Sequence, residues 1–353
     1  MAVTSRPREA SFLTDLYDQI KRIYLEYPLL GKALAYLAAL QPLYQILIWV
    51  PSQWARTDKQ RDLWVYYDTA QKVAHHQPLY HPMPWVGPDI NPLAYLYPPQ
   101  FALLLMPLDR LSYHDFCAVW YVLLVASFWV FAWTLAKMGG DKGVRNRTLM
   151  WGLLLAATPG AYEAMSEGQI DPLVWALFGL ALVTRYNGFF LAVMTQVKLF
   201  GAVPLAISMY RETWRNRIAA IVTLAAGFAL GAAVFGPHSI VDWIRWSLPL
   251  PGQGHFDEYN LSISFLMLRI GLKLGLWQYH GGPLPAGPHL FLQVCQIIGI
   301  LGAIWATRKM PAPKNYIIVL IAALLCSPTC WYTYDPLVYT LVALGIKNRE
   351  TAA

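Results

Sequence analysis

"FCAVWYVLLVASFWVFAWTLA", residues 116–136, contains no acidic or basic side chain and is dominated by aromatic and aliphatic residues. An α-helix rises about 1.5 Å per residue, so a helical run of this length crosses the roughly 30 Å hydrocarbon layer of a bilayer. Residues 33–55 and 218–241 form two further runs without Asp, Glu, Lys or Arg. Together these runs predict an all-α polytopic membrane protein.

The overall composition supports this fold class. Only 13% of the 353 residues are charged and 57% are hydrophobic, whereas a soluble domain carries about 25% charged residues. A chain of this length suits a bundle of roughly 9–11 membrane segments, including short or broken ones. The net charge of +7 does not indicate nucleic-acid binding, because no basic block lies in a soluble segment long enough to fold.

Charge and hydropathy divide the chain into three parts. Residues 1–29 are predicted to be a cytoplasmic segment, and they lack the apolar core of a cleaved signal peptide. Residues 30–346 are predicted to form a single transmembrane domain, and residues 347–353 a cytoplasmic tail. The four cysteines mostly fall inside apolar runs, where we expect small hydrophobic side chains rather than a disulfide or a metal site.

Basic loops predict the orientation of the bundle in the cell or inner membrane. Lysine and arginine concentrate in residues 137–147, 211–217 and 308–314 and in the tail. Such loops stay on the cytoplasmic side of a membrane, so we expect all of them, and both termini, to be cytoplasmic. The other predicted membrane segments are residues 148–162, 172–184, 287–306, 315–334 and 336–346.

This orientation imposes two conditions. The stretch YLYPPQFALLLMPL (95–108) must dip into the membrane and return, or lie along its surface, because its Pro-Pro pair prevents a normal helix start upstream. Residues 188–210 must make two short passes broken near Lys198, which is tolerated at membrane depth only beside protein or a water-filled cavity. We therefore expect a cavity open to the non-cytoplasmic side, next to external loops 56–94 and 237–285.

Polar side chains cluster at the outer ends of the predicted membrane segments, and Lys198 lies inside the membrane region. Several segments thus place polar groups around one outward-facing pocket, as a site for a polar substrate on a lipid carrier requires. The clusters are DLWVYYDTAQKVAHHQPLY (62–80), EAMSEGQIDP (163–172), HFDEYNLSISFLMLRI (255–270) and SPTCWYTYDP (327–336).

The first cluster, followed by YLYPPQFALLLMPL, resembles the opening of glycosyltransferase family 87 (DUF2029 type), a group of polyprenol-phosphate-mannose-dependent membrane mannosyltransferases. Asp171 stands where members of that family more often have Asn. Thr333 and Tyr334 stand where many members have His, so a His-dependent phosphate contact lacks its usual residue here. The further similar elements, in the same order, are EGQIDPLVWALFGLAL (167–182), LAVMTQVKLFGAVPLAISMYRETWR (191–215), YNLSISFLMLRI (259–270) and SPTCWYTYDPLVY (327–339).

The resemblance implies a fold of the GT-C superfamily, with the active site on the non-cytoplasmic side. It implies an inverting transfer of a hexose, mannose in that family, from a polyprenyl-phosphate sugar to a lipid or glycan acceptor. The catalytic acid lies in the first external loop of such enzymes, and Asp62 is the matching residue. We predict no obligate cofactor and no metal site, since the chain has no D-x-D pair. The binding of a loosely held divalent ion is left as an alternative.

The carboxylates of the first cluster suit this chemistry. A sugar hydroxyl is a weak nucleophile, and a carboxylate within hydrogen-bond reach removes its proton as the bond to the leaving phosphate breaks. Asp62 is the predicted base, although it also fits a role as a helix cap or as a partner of Arg61. Asp68 is the alternative base, or a group that binds the acceptor.

Two cations are predicted to bind the donor phosphate. A departing phosphate needs charge stabilisation rather than a general acid, and a cation in a water-poor site supplies it. Lys198 is costly to bury without a partner, so we expect a phosphate or a carboxylate beside it, with snorkelling toward a headgroup as the alternative. Arg269 either binds the phosphate or anchors its helix to lipid headgroups.

Six further residues are predicted to bind substrate, with the aromatic ones stacking on sugar faces. Trp331 and Tyr334 also fit the aromatic belt that many membrane proteins place at the interface. The apolar groove near the Pro-Pro pair is expected to hold the prenyl chain. The predicted substrate-binding residues are Tyr66, Tyr97, Gln169, Asn260, Trp331 and Tyr334.

Two other classes of protein remain open at this point. A transporter or flippase for a lipid-linked or polar solute also has broken spans and buried charge. Alternating access requires polar gating groups on both faces, however, whereas the polar clusters here are predicted on one face. A non-catalytic scaffold for an envelope assembly is the third interpretation, and it predicts that the clustered acids tolerate substitution.

Overall fold

A computed structural model of the chain describes residues 28–55, 61–82, 85–86, 89–90, 94–253, 260–278 and 284–350. Most of the predicted cytoplasmic segment 1–29, and the last residues of the tail 347–353, lie outside this part. The helices are α1 (Pro28–Tyr44), α2 (Val50–Trp54), α3 (Arg61–Ala74), α4 (Pro99–Leu105), α5 (Tyr113–Met138), α6 (Val144–Ala156), α7 (Pro159–Ser166), α8 (Asp171–Val183), α9 (Asn187–Val197), α10 (Ala202–Arg211), α11 (Trp214–Phe235), α12 (Pro237–Asp242), α13 (Ile263–Lys273), α14 (Ala286–Thr307), α15 (Ala312–Cys326) and α16 (Tyr339–Glu350).

Tighter or wider helical turns and one small β-ribbon complete the described structure. Strands β1 (Trp85–Val86) and β2 (Asp89–Ile90) pair antiparallel in the loop after α3. The 3₁₀ turns are Met106–Leu108, Leu199–Gly201, Leu250–Gln253 and Tyr332–Val338, and the π turns are Gln45–Trp49 and Trp243–Ser247.

Four helical stretches of the described chain are long and apolar enough to cross a membrane, with mean hydropathies from 1.5 to 2.3. They are accompanied by shorter apolar helices, and this arrangement confirms the prediction of an all-α polytopic membrane protein. The four long stretches are Leu29–Trp54, Tyr113–Met138, Trp214–Phe235 and Ala286–Thr307, and the shorter ones are Pro99–Leu108, Asp171–Val183, Asn187–Val197, Leu199–Arg211 and Ala312–Cys326.

Two predicted runs end earlier than expected because local backbone chemistry stops the helix. Helix α11 ends at Phe235, since Gly236 adopts φ +79° and Pro237 begins the next helix. Helix α15 ends at Cys326, one residue before an extended Ser327 that precedes a proline. The predicted run 315–334 therefore continues as a non-helical strap, residues 327–331, and the 3₁₀ turn Tyr332–Val338.

The predicted run 148–162 is divided in two at Thr158. Its hydroxyl accepts a hydrogen bond from Ala161 N at 3.2 Å and caps α7, whose first residue is Pro159. A new helix axis thus begins where the sequence suggested one continuous segment.

Helix α5 forms the centre of the packed core. It carries fully buried aromatic side chains, among them Trp120, Tyr121 and Phe128, and it packs against α2, α6 and α8. A Cβ atom at Gly179 of α8 would lie 2.1 Å from Thr134 Oγ1 of α5. Glycine at this position therefore allows the two helices to approach closely, as small residues do in membrane bundles.

The outer helices expose apolar side chains instead of burying them. Leu47, Leu230 and Ile298, from the first, third and fourth long stretches, are 68%, 56% and 65% exposed. Such surfaces are stable in contact with lipid tails, which are as apolar as the side chains themselves.

The chain between α9 and α10 breaks at Lys198, as expected. Lys198 has extended backbone dihedrals (φ −139°, ψ 125°), and a 3₁₀ turn follows it. Helix α4 likewise begins at Pro99, directly after an extended Pro98. These two interruptions bring non-helical backbone to the region where the polar clusters meet.

Candidate active site

Helix α3 lies against the loop between α7 and α8 through its first two turns. Asp62 and Tyr66 are four residues apart and share one face of the helix. Asp62 Oδ2 accepts a 2.7 Å hydrogen bond from Gln169 Nε2, and the Tyr66 hydroxyl accepts one of 3.3 Å from Ile170 N. Leu63 N also donates to the Glu167 carbonyl at 3.3 Å. The predicted residues Asp62, Tyr66 and Gln169 are therefore brought together.

This loop is held from behind by the central helix α5. Trp120 Nε1 donates to the Gly168 carbonyl at 2.8 Å, and the Tyr121 hydroxyl donates to the Ser166 carbonyl at 3.2 Å. Gly168 adopts φ +68°, and a Cβ atom there would lie 2.9 Å from Leu63 Cβ. Glycine is therefore needed both for the backbone conformation and for the approach of α3.

Lys198 lies in a network with Asp171, Thr333 and Tyr334. Its ammonium group forms an ion pair with Asp171 Oδ1 and donates to the Tyr334 hydroxyl at 3.1 Å. Asp171 is fully buried, and its second oxygen accepts a 2.8 Å hydrogen bond from Thr333 Oγ1. A lysine at membrane depth requires such a counter-charge, so the carboxylate partner expected for Lys198 is present.

The electrostatic surroundings of Asp62 act in opposite directions. Burial raises the pKa of Asp62, while the hydrogen bond from Gln169 and the positive charge of Lys198 lower it. Burial is the largest of these effects, so the pKa of Asp62 lies above the usual value for an aspartate. Asp62 and Lys198 thus belong to one electrostatic site.

Aromatic side chains form the wall beside this carboxylate. The hydroxyl groups of Tyr66 and Tyr97 are 2.5 Å apart, and the Tyr80 hydroxyl donates to the Tyr97 carbonyl at 2.7 Å. The ring of Tyr66 lies 4.7 Å from that of Trp120, and Tyr97 lies 4.8 Å from Phe101. Both tyrosines predicted from the sequence are therefore part of the site wall.

Asp68 lies on another face of α3. It is six residues beyond Asp62, which corresponds to about one and two-thirds turns of the helix. Its carboxylate forms a 2.7 Å ion pair with Lys72, and its side chain is 36% exposed. The structure therefore does not bring the two predicted carboxylates together.

Asn260 and Trp331 lie in the two remaining polar clusters, and contacts between them join the chain before α13 to the chain after α15. The Asn260 side chain donates to the Pro328 carbonyl at 3.0 Å and accepts from Cys330 N at 3.0 Å. Backbone pairing between Asn260 and Trp331 continues this connection. The Asn260 amide thus fixes the strap before Tyr334.

Arg269 lies in the second turn of α13 and is partly buried. Its guanidinium makes no hydrogen bond or ion pair with any residue in the described ranges. Of the two predicted phosphate-binding cations, Lys198 acts electrostatically on Asp62, and Arg269 is not among the charges that do so.

Sequence reasoning assigned no role to Asp171 or Thr333, although both lie in the quoted clusters. The sequence did indicate a partner such as Asp171, because a lysine inside a membrane segment requires an acid nearby. Gln169 Oε1 is buried and has no donor within the described chain, which leaves one amide acceptor for a ligand hydroxyl. Across the same residues no group of three His, Cys, Asp or Glu side chains is arranged to hold a metal ion.

Known proteins and protein families were compared with the chain. Searches of curated proteins and of solved structures found nothing similar. A family model described as glycosyltransferase family 87 matches residues 95–328, which is more than half of the chain. The match includes Gln169, Asp171 and Lys198, and Asp62 precedes it. The chain therefore belongs to glycosyltransferase family 87.

Proposed function

We propose that this membrane glycosyltransferase moves a hexose, with mannose as the first candidate, from a polyprenyl-phosphate sugar to a lipid or glycan acceptor. Asp62 acts as the general base, and the sugar is transferred with inversion on the non-cytoplasmic side. One observation carries the proposal: Asp62 is held by Gln169 within the field of the partly buried cation Lys198.

The geometry of Asp62 suits a base. Gln169 engages Oδ2, and no residue of the described chain donates to Oδ1, so Oδ1 is able to accept the proton of an acceptor hydroxyl. The raised pKa of Asp62 makes its carboxylate a stronger base than a solvated aspartate.

Lys198 suits the leaving phosphate. An ammonium group has three donors, and Asp171 and Tyr334 account for two of them. The third donor remains for a phosphate oxygen. Asp171 holds the ammonium in place and is itself fixed by the hydroxyl of Thr333, which is the preorganisation that charge stabilisation requires.

The reaction follows from these positions. Asp62 removes the proton from the acceptor hydroxyl as its oxygen attacks the anomeric carbon. The bond from that carbon to the phosphate oxygen breaks, and its electron pair stays on the phosphate beside Lys198. Attack from the face opposite the leaving group gives inversion. Arg269 enters this proposal only as a cation near lipid headgroups.

The charge distribution supports the proposed orientation. Helix α8 begins at Asp171 and is followed by Arg185 at its other end, and α10 begins near Lys198 and ends at Arg211. Arginine-rich ends stay in the cytoplasm, so the opposite ends, with the candidate site, face outward. A transporter would need a comparable set of polar gating groups at both ends.

The test is transfer from radiolabelled polyprenyl-phosphate mannose in membranes that contain the full-length protein. We expect Asp62→Asn to lower turnover by about 100-fold or more, the usual contribution of a general base. Asp115→Asn, which changes an exposed carboxylate, serves as the matched control and should stay within about threefold of wild type. Wild-type turnover in Asp62→Asn would refute the assignment, and a large loss in Asp68→Asn alone would transfer the role to Asp68.

A further inference from the structure

A cavity lies at the end of the bundle opposite the candidate active site. Helix α8 runs from Asp171 to Val183 and α9 returns from Asn187 to Val197, which separates the two ends by about 17–20 Å at 1.5 Å per residue. The cavity has a volume of about 720 Å³ and lies between the α8–α9 turn, the start of α11 and the start of α15. Nothing in the proposed transfer reaction uses it.

Two arginines line this cavity. Arg185 donates to the Tyr186 hydroxyl at 2.6 Å, and its guanidinium lies 4.9 Å from the centre of that ring. This leaves most of its donors unused. Arg215 makes no hydrogen bond or ion pair with residues of the described ranges. Guanidinium groups of this kind match the oxygens of a phosphate.

The remaining polar wall favours a ligand that also carries hydroxyl groups. Asn187 lines the cavity with only 7% of its surface exposed, and its Oδ1 has no partner among the described residues. A buried acceptor of this kind is costly unless a donor reaches it. Glu212, held by Tyr316 at 2.8 Å and Asn216 at 3.4 Å, disfavours a ligand with further negative charge.

The setting of the cavity is that of a membrane interface. Apolar side chains of α8 and α11, Leu182 and Ala219, contribute to its lining. Tyr186 and Trp214 flank it with 50% and 68% of their surfaces exposed, and such aromatic residues concentrate at the headgroup level. Ile221, about two turns along α11 from Trp214, is 51% exposed on the apolar surface of this long helix.

We propose that this cavity binds the headgroup of an anionic phospholipid that carries free hydroxyl groups, of the phosphatidylglycerol type. The lipid phosphate lies between Arg185 and Arg215, and a glycerol hydroxyl donates to Asn187 Oδ1. The acyl chains extend along the exposed apolar face of α11. This site is separate from the sugar-transfer site, and it binds without any covalent step.

The test is native mass spectrometry of the full-length protein in neutral detergent. Dioleoyl phosphatidylglycerol, phosphatidylcholine and phosphatidic acid are added separately, and glycerol phosphate is added as the soluble headgroup. We expect one retained phosphatidylglycerol per chain, with about tenfold preference over phosphatidylcholine, the equivalent of one charge-assisted contact. Arg185→Gln with Arg215→Gln should remove that preference.

The matched control removes two positive charges elsewhere at the same end. Lys142→Gln with Lys309→Gln changes two exposed lysines outside the cavity and should retain the lipid as wild type does. Asn187→Leu should bind phosphatidylglycerol no better than phosphatidic acid. Equal retention of phosphatidylcholine, equal loss in the control variant, or displacement by millimolar glycerol phosphate would each overturn the proposal.

Discussion

Two opposing effects act on the pKa of Asp62. Its surroundings raise its pKa by burial, and Gln169 and Lys198 limit that rise. A proposed base with a raised pKa accepts a proton more readily, yet it must remain ionised at the working pH. The amide of Gln169 therefore adjusts the pKa of Asp62 as well as orienting its carboxylate.

The pH profile of kcat/KM tests this balance. Protonated Asp62 is inactive as a base, so activity is lost as the pH falls through its pKa, above the usual aspartate value. Gln169→Leu removes a hydrogen bond that lowers the pKa, so the acidic limb should move to higher pH. The loss at alkaline pH should stay within about tenfold, as expected for one hydrogen bond. An unchanged acidic limb would contradict the role of Asp62.

The ion pair of Lys198 and Asp171 gives a second prediction at this scale. Asp171→Asn leaves a buried ammonium without its counter-charge, which should destabilise the protein by about 3–5 kcal/mol. Adding Lys198→Met removes that unpaired charge, so much of the stability should return while transfer activity stays lost. Thermal unfolding in detergent, together with the transfer assay, measures both effects. Recovery of activity in the double variant would exclude Lys198 from phosphate binding.

At the scale of elements, the loop between α7 and α8 positions α3. Three contacts join them, from Leu63 N, Asp62 and Tyr66, and Gly168 permits the approach. Because Asp62 is in the first turn of α3, a small displacement of that loop moves the proposed base relative to Lys198.

Substitution of Gly168 separates this approach from simple backbone strain. Gly168→Ala should lose stability both from its positive φ, about 1–2 kcal/mol, and from the contact with Leu63. Gly275→Ala is the matched control, since Gly275 has φ +74° and nothing within 4 Å of its Cβ position. We expect a lower melting temperature for both variants, and a loss of transfer activity for Gly168→Ala only. Equal activity in the two variants would show that this loop does not position α3.

How far the sequence predicts these elements depends on the kind of interaction that forms them. The long apolar runs were found because lipid burial is a local property of the chain. The helix ends at Phe235 and Cys326 were missed because they depend on the positive φ of Gly236 and on Pro328, whereas hydropathy alone predicts that the apolar runs continue. The network of Lys198 with Asp171 and Tyr334 joins residues 27 and 136 positions apart, and no periodic pattern encodes such a contact. Motif similarity, rather than periodicity, selected Asp62 and Gln169.

At the scale of the whole molecule, the candidate site and an arginine-rich surface lie at opposite ends of three short helices, α8, α9 and α10. Asp62, Asp171 and Lys198 lie at one end of α8, α9 and α10, and Arg185, Arg211 and Arg215 lie at the other. Arginine is retained on the cytoplasmic side, so this polarity supports the proposed placement of the transfer site outside and of the lipid site at the cytoplasmic end.

Cysteine labelling tests the proposed orientation. His75, after α3, and Lys142, after α5, are both exposed, and they lie at the ends assigned to the outside and to the cytoplasm. In intact cells, a membrane-impermeant maleimide should label His75→Cys and leave Lys142→Cys unlabelled until the cells are permeabilised. The unsubstituted protein measures the background, which should be low because Cys117 and Cys330 are buried and Cys295 and Cys326 are partly buried. Labelling of Lys142→Cys alone in intact cells would reverse the orientation and place the candidate active site on the cytoplasmic side.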